Sequence, residues 1–220
     1  VVDSLYADTE RRTASERIAR DLLEDALSVI RDRNSALFIT TFSSHIARLK
    51  SIVEFGKKTN RQIIFMGRSL MKYVTAAKKV GECSFYHQIR IMKYRKQINS
   101  FLKKVEDERG KYLIVCTGHQ GEKGAILDRI TKDETHFKFR AGDNVIFSSS
   151  VIPVIQNINA REKMDKKLRA KGVRIQTDIH VSGHGGREDL RDLVQMLEPE
   201  HIIPAHGSIE QEMPMVELAK

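Results

Sequence analysis

Only two cysteines occur in the 220 residues, Cys83 and Cys116, each within or beside an apolar segment and neither in a C-x-x-C pair. That excludes a disulfide framework and a thiolate zinc site, and leads us to expect a reducing, cytoplasmic compartment. Prolines number four, and there is neither a low-complexity tract nor an internal repeat, so no flexible linker divides the chain. No apolar run approaches the roughly 18 residues that span a bilayer, and the N-terminus lacks a signal-peptide pattern, so no membrane partner is expected. The Walker pattern and G-x-G-x-x-G are both missing, which argues against a nucleotide-driven motor or a dehydrogenase. An initiator methionine is missing too. Val1-Val2-Asp3 reads as the end of a strand already under way, and Met215 to Lys220 as a helix cut short, so we expect a fragment of a longer protein.

What remains is long enough to bury a sizeable core and strongly basic. Lys and Arg total 38 against 29 acidic residues, a formal charge of +9, which favours an anionic partner. The excess is uneven. Acids outnumber bases before residue 33, whereas Arg90, Lys93, Arg95, Lys96, Lys103 and Lys104 follow one another with no acid between them. Such a run reads equally as the solvated face of a helix and as a track for a nucleic-acid backbone, with Tyr86, His87 and Tyr94 nearby as candidates for stacking on bases.

Periodicity gives an alternating α/β chain. Thr13-Ala-Ser-Glu16 is a capping-box pattern that opens a helix with Ile18, Leu22, Leu23, Ala26, Leu27 and Ile30 on one face. A strand follows at Leu37 to Thr40, a helix from about Ser43, a strand at Gln62 to Met66 and a helix after Gly67. Tyr112 to Cys116 and Asn144 to Phe147 read as further strands, with a short helix near Ala125, a charged helix over roughly Asn157 to Lys171, and a strand from Val173 to Val181. Alternation of this kind predicts parallel strands with right-handed crossovers and helices on both faces.

The strand ends repeat one chemistry: Thr41-Phe42-Ser43-Ser44, Gly67-Arg68-Ser69, Thr117-Gly118-His119-Gln120 and Ser148-Ser149-Ser150. Small and hydroxyl residues let backbone N–H groups approach an oxyanion where a helix begins, and in a parallel sheet all four lie on the rim where ligands bind. The C-terminal end is denser still. His180-Val181-Ser182-Gly183-His184-Gly185-Gly186, an amphipathic helix and then Pro204-Ala205-His206-Gly207 place imidazoles, a hydroxyl and glycines at the ends of apolar runs, a pattern suited to metal ligands and phosphate contacts.

Together these motifs resemble the β-CASP family of metallo-β-lactamase-fold nucleases, most closely its archaeal ribonuclease J branch. The resemblance covers essentially the whole chain, with Cys116-Thr117-Gly118-His119-Gln120-Gly121-Glu122 the stretch most specific to that branch. It implies three segments: residues 1–12 as the end of a metallo-β-lactamase lobe, 13–178 as a parallel-sheet, nucleotide-binding-like β-CASP domain, and 179–220 as a returning strand-helix-strand segment of the first lobe. It implies a zinc-dependent ribonuclease with two zinc ions, acting 5′ to 3′ on single-stranded RNA with some endonucleolytic activity, in a family that tends toward homodimers. Asp3 matches the family's acidic motif and His184 the second histidine of H-x-S-G-H, both catalytic by implication. His206 matches the zinc-ligating histidine. His180 and Ser182 are implied to hold a substrate phosphate, and Ser43, Ser44, Arg68, Ser69, Thr117, Gly118, His119, Gln120, Ser148 and Ser149 to line the RNA path.

One departure limits this chain. The family's H-x-H-x-D-H signature is absent, since no two histidines here are separated by a single residue. Zinc needs about four ligands, or three and a water, so His206 with at most one neighbour does not hold it unaided. The chain by itself is therefore expected to lack the N-terminal metallo-β-lactamase lobe and to be inactive. The alternative is a non-catalytic nucleic-acid-binding α/β domain, whose histidines only cap strands and bind phosphate.

Overall fold

A computed structural model describes residues 1–218; Ala219 and Lys220, the last residues of the expected C-terminal helix, lie outside it. The order of elements is β1 (Val2–Asp3), α1 (Glu16–Ser28), β2 (Leu37–Thr40), α2 (Ile46–Lys58), β3 (Gln62–Met66), α3 (Arg68–Lys79), β4 (Arg90–Met92), α4 (Arg95–Asp107), β5 (Tyr112–Cys116), α5 (Ile126–Thr131), β6 (Asn144–Phe147), α6 (Ile155–Ala170), β7 (Arg174–Gln176), α7 (Arg187–Leu197), β8 (Pro204–Ala205) and α8 (Ile209–Leu218). They fall into two compact units, residues 19–180 and residues 1–18 with 181–220.

The larger unit is an α/β/α layer structure. Its six-stranded sheet has the order β4-β3-β5-β2-β6-β7, every pair parallel. Strand residues alternate between faces. Leu37, Ile39, Ile63, Phe65, Leu113 and Val115 pack with the buried sides of α1, α2 and α3. Phe38, Ile64, Met66, Ile114 and Val145 face the opposite way, against α4, α5 and α6. Since all strands run the same way, the segments after β2, β3, β5 and β6 emerge on one rim.

Several boundaries differ from the sequence reading. In α1 the buried stripe is Ala19, Leu23, Ala26 and Leu27, while Ile18 and Leu22 are 49% and 38% exposed at its edge. That helix begins at Glu16, and Thr13 serves another purpose: its hydroxyl donates to the His184 carbonyl and its amide to Asp189. Helix α2 begins at Ile46, because the His45 ring accepts the Arg48 amide and acts as the cap. The basic run is not one helical face. Arg90 lies on the edge strand β4 and the residues from Arg95 onward on α4. The strand expected to reach Val181 ends at Gln176, where the chain turns through Thr177 to Asp178, whose φ of 62° is left-handed.

At the amino end of the sheet, Asp143 accepts from Arg109 at 2.6 Å and from the Ala36 amide at 2.8 Å, joining β2, β6 and the chain before β5. Glu106 extends this network. Partial burial disfavours its charge, but hydrogen bonds from Arg109, the Lys138 amide and Arg140 outweigh that and hold its pKa at about 2. A depressed carboxylate contributes stability above its unfolded pKa and loses it as pH falls through the folded one. The stability of this unit is therefore expected to decline as pH falls from about 4.5 toward 2, and Glu106→Gln to flatten that part of the curve in acid-unfolding titrations.

The smaller unit is built on a two-stranded sheet in which β1 runs parallel to β8, Val2 opposite Pro204 and Asp3 opposite Ala205. Ala7, Leu190 and Met215 form its buried centre, supplied by the N-terminal segment, α7 and α8.

Candidate active-site cluster

The pairing of β1 with β8 decides where the ionisable groups of the smaller unit meet. Asp3 ends β1 and His206 immediately follows β8, so two residues far apart in sequence stand at adjacent strand ends. His206 adopts φ +69°, a left-handed conformation that costs a non-glycine residue on the order of 1 kcal/mol and persists where surrounding structure imposes it. His184 arrives on the loop before α7. Its Nδ1 lies 2.5 Å from Asp3 Oδ2, and His206 Nδ1 lies 3.5 Å from the same oxygen. The two imidazole centroids are 4.9 Å apart, and Tyr6 meets the His184 ring edge-on at 5.8 Å.

The loop bearing His184 is tightly held. Ser182 Oγ accepts the His184 amide at 3.0 Å. Asp189, in the first turn of α7, accepts both the Gly186 amide at 3.0 Å and the Thr13 amide at 2.7 Å. Gly186 is required by contact, because a Cβ there would sit 2.1 Å from the Arg11 carbonyl oxygen. The sequence reading passed over Asp189; the spacing Gly186-x-x-Asp189 ahead of an amphipathic helix is a helix-start signal that marks it.

Asp3 is exposed enough to meet solvent yet electrostatically held. Desolvation raises its pKa, but hydrogen bonds from His184, the Leu5 amide and His206 outweigh this and leave the carboxyl below its ordinary range. Two imidazoles and one carboxylate offer donor atoms within 4.8 Å of one another, a nitrogen and oxygen set of the kind zinc accepts. Three donors match a catalytic zinc site only if all three face the metal, and two of these, Asp3 and His184, are bonded to each other. The Asp3 oxygen is already engaged by His184, whereas the His206 side chain, 59% exposed, is the freest of the three to bind metal.

The expected phosphate contacts are spread more widely. His180 is the last residue of the larger unit, while Ser182 and His184 belong to the smaller one. On the rim of the large sheet, Ser43 and Ser69 are hydrogen-bonded at 3.0 Å, Ser44 and Arg68 are exposed, and Thr117 is half-buried. Other residues expected there serve the fold. Ser148 is fully buried and donates to the Ile179 carbonyl, and Ser149 is 3% exposed. The Gln120 side chain bonds the Ser150 carbonyl and the Ile152 amide. Gly118 packs against Leu127, and the His119 ring is buried edge-on to Phe42 at 4.2 Å, with burial the main cause of its lowered pKa. Arg48 was not anticipated. This fully buried guanidinium donates to the Ser148 carbonyl, the Ser148 hydroxyl and the Ile179 carbonyl, fixing the chain just before His180.

Comparison with known proteins meets this architecture. The family model described as ribonuclease J, beta-CASP domain, matches residues 34–182, more than half of the chain. The chain belongs to the ribonuclease J β-CASP family. A second model, described as the Zn-dependent metallo-hydrolase RNA specificity domain, matches residues 172–219, the segment that carries His184 and His206. The chain is similar to ribonuclease J of Pyrococcus abyssi, 41% identical over 100% of this chain and 48% of that protein. It is also similar to ribonuclease J of Methanocaldococcus jannaschii, 40% identical over 96% and 47%, and of Sinorhizobium meliloti, 33% over 94% and 35%. The chain thus spans about half the length of the first two relatives and about a third of the last.

Proposed function

We propose that this chain carries the β-CASP domain and one side of the catalytic centre of a zinc-dependent ribonuclease that degrades single-stranded RNA from its 5′ end and also cuts internally. The observation that carries the reading is the cluster of Asp3, His184 and His206 at the paired ends of β1 and β8. Residues 1–12 and 179–220 would be parts of a metallo-β-lactamase lobe, flanking the β-CASP domain of residues 13–178 in sequence.

His206 would be a zinc ligand through its exposed ring, the other ligands of a two-zinc centre coming from the H-x-H-x-D-H signature that this sequence does not contain. Zinc, when bound, makes hydroxide available near neutral pH and polarises the scissile phosphate. The chain's own residues have separate tasks. Asp3 accepts from His184 Nδ1, which fixes the ring and leaves Nε2 to give its proton to the departing ribose oxygen. Asp3 orients, and His184 transfers the proton. His180 and the Ser182 hydroxyl would hold a neighbouring phosphate, and the basic residues of β4 and α4 would attract the backbone.

Exchanging His206 for alanine in the full-length protein is expected to lower bound zinc by about one ion per subunit, since a site with about four donors holds its ion poorly once an imidazole is lost. Metal analysis after exhaustive dialysis measures this. Unaltered stoichiometry would remove His206 from the metal site, while retained metal with RNA binding but no cleavage would favour a non-catalytic binding domain.

A further inference from the structure

Residues 6–13 run beside the loop that carries His184, and the contacts between the two segments exceed what a helix start needs. Tyr6 forms an isolated parallel bridge with Gly186, its ring meets the His184 imidazole edge-on, and the Arg187 amide donates to the Thr9 carbonyl at 2.9 Å. Arg12 pairs with Asp192 at 2.5 Å and stands 3.6 Å from Asp189, which ties the same segment to α7.

One oxygen joins the two segments. Asp189 Oδ2 accepts the Gly186 amide at 3.0 Å and the Thr13 amide at 2.7 Å. The first bond belongs to the start of α7, where a carboxylate in the first turn satisfies the amide just ahead of the helix. The second is shorter, and the helix does not require it. The Thr13 bond is also the main cause of the lowered pKa of the Asp189 carboxyl, ahead of desolvation, which opposes it, and of the Gly186 bond. Its consequence falls on the half-buried Thr13, whose hydroxyl donates to the His184 carbonyl at 2.6 Å. From the other side Ser182 Oγ accepts the His184 amide. Both backbone polar groups of His184 are therefore bonded to hydroxyls, while Nδ1 is bonded to Asp3. A proton donor has to stay within hydrogen-bond reach of the atom it serves, and a displacement of about 1 Å can cost on the order of a hundredfold in rate.

We infer that Asp189 and Thr13 are positioning residues for RNA cleavage, Asp189 placing Thr13 and the Thr13 hydroxyl fixing the His184 backbone so that Nε2 stays aimed at the departing ribose oxygen. Both act through His184, and the inference rests on the reading of His184 as the proton donor.

The test is Thr13→Val in the full-length protein, which removes the hydroxyl and keeps the amide that bonds Asp189, so the start of α7 is spared. The expected result is a kcat lower by about tenfold with KM and zinc content unchanged, and recovery to within about twofold of wild type in Thr13→Ser, which restores the hydroxyl. Asp189→Ala, which loses both amide bonds, should fall at least as far. In a His184→Ala background Thr13→Val should cost nothing more, because a residue that acts only through His184 has nothing left to position. Wild-type kcat in Thr13→Val, an equal fall in both backgrounds, or no recovery in Thr13→Ser overturns the inference. Undiminished cleavage in His184→Ala alone would instead remove the proton-donor reading, and the inference with it.

Discussion

Replacing His184 by alanine in the full-length protein is expected to slow RNA cleavage at least about a hundredfold, the scale on which a general acid contributes, while zinc content stays at its wild-type value. The expectation comes from the division of labour at the β1 and β8 strand ends. His184 Nδ1 is bonded to Asp3, so this imidazole is oriented by a carboxylate rather than left free for metal, whereas His206 lies farther from the same oxygen. Asp3→Asn should cost less than His184→Ala, since an amide still accepts a hydrogen bond from Nδ1 but no longer stabilises the charged ring. Comparing cleavage rates with metal analysis on the same preparations separates the roles. Loss of a zinc ion from the His184 variant would make that residue a ligand and leave the proton transfer without a donor.

The largest effect on stability is expected at Arg48. Replacing it with methionine keeps much of the volume but removes three buried hydrogen bonds, to the Ser148 carbonyl, the Ser148 hydroxyl and the Ile179 carbonyl, leaving those carbonyls, among the described residues, only the Thr41 and Ser148 hydroxyls as donors. Hydrogen bonds from a charged group contribute roughly 1.5–3 kcal/mol each, so the larger unit should lose about 3 kcal/mol. Arg48→Lys should recover only part of this, because one ammonium does not reproduce the spread of a guanidinium. Denaturant midpoints followed by circular dichroism measure the difference. Wild-type stability in Arg48→Met would show that the Thr41 and Ser148 hydroxyls satisfy these carbonyls unaided.

The parallel sheet was legible because its central strands are buried on both faces and read as short apolar runs, Leu37–Thr40 and Tyr112–Cys116 among them. Edges were harder. Strand β7 stops at Gln176, where the side-chain amide reaches the Ala26 carbonyl and the chain turns through Asp178, a tertiary choice that alternation does not record. The start of α2 was misplaced for a similar reason, since His45 is an uncommon cap.

The site was legible only in part. Glycine and histidine at strand ends pointed to chemistry, but the meeting of Asp3 with His184 and His206 depends on β1 pairing with β8 across nearly the whole sequence, and only the family resemblance pointed there. Arg48 stayed hidden because a charged residue on a buried helical face looks, in sequence, like one on the solvent face.

Metal-dependent hydrolysis of RNA by these residues is tested most directly by following a single-stranded RNA labelled at its 5′ end, incubated with the full-length protein before and after chelation. Rapid release of labelled mononucleotide, abolished by chelation, restored by zinc and absent in His184→Ala, is the predicted result. Hydrolysis that continues after chelation and survives in His184→Ala, or firm RNA binding with no hydrolysis under any metal, would contradict it.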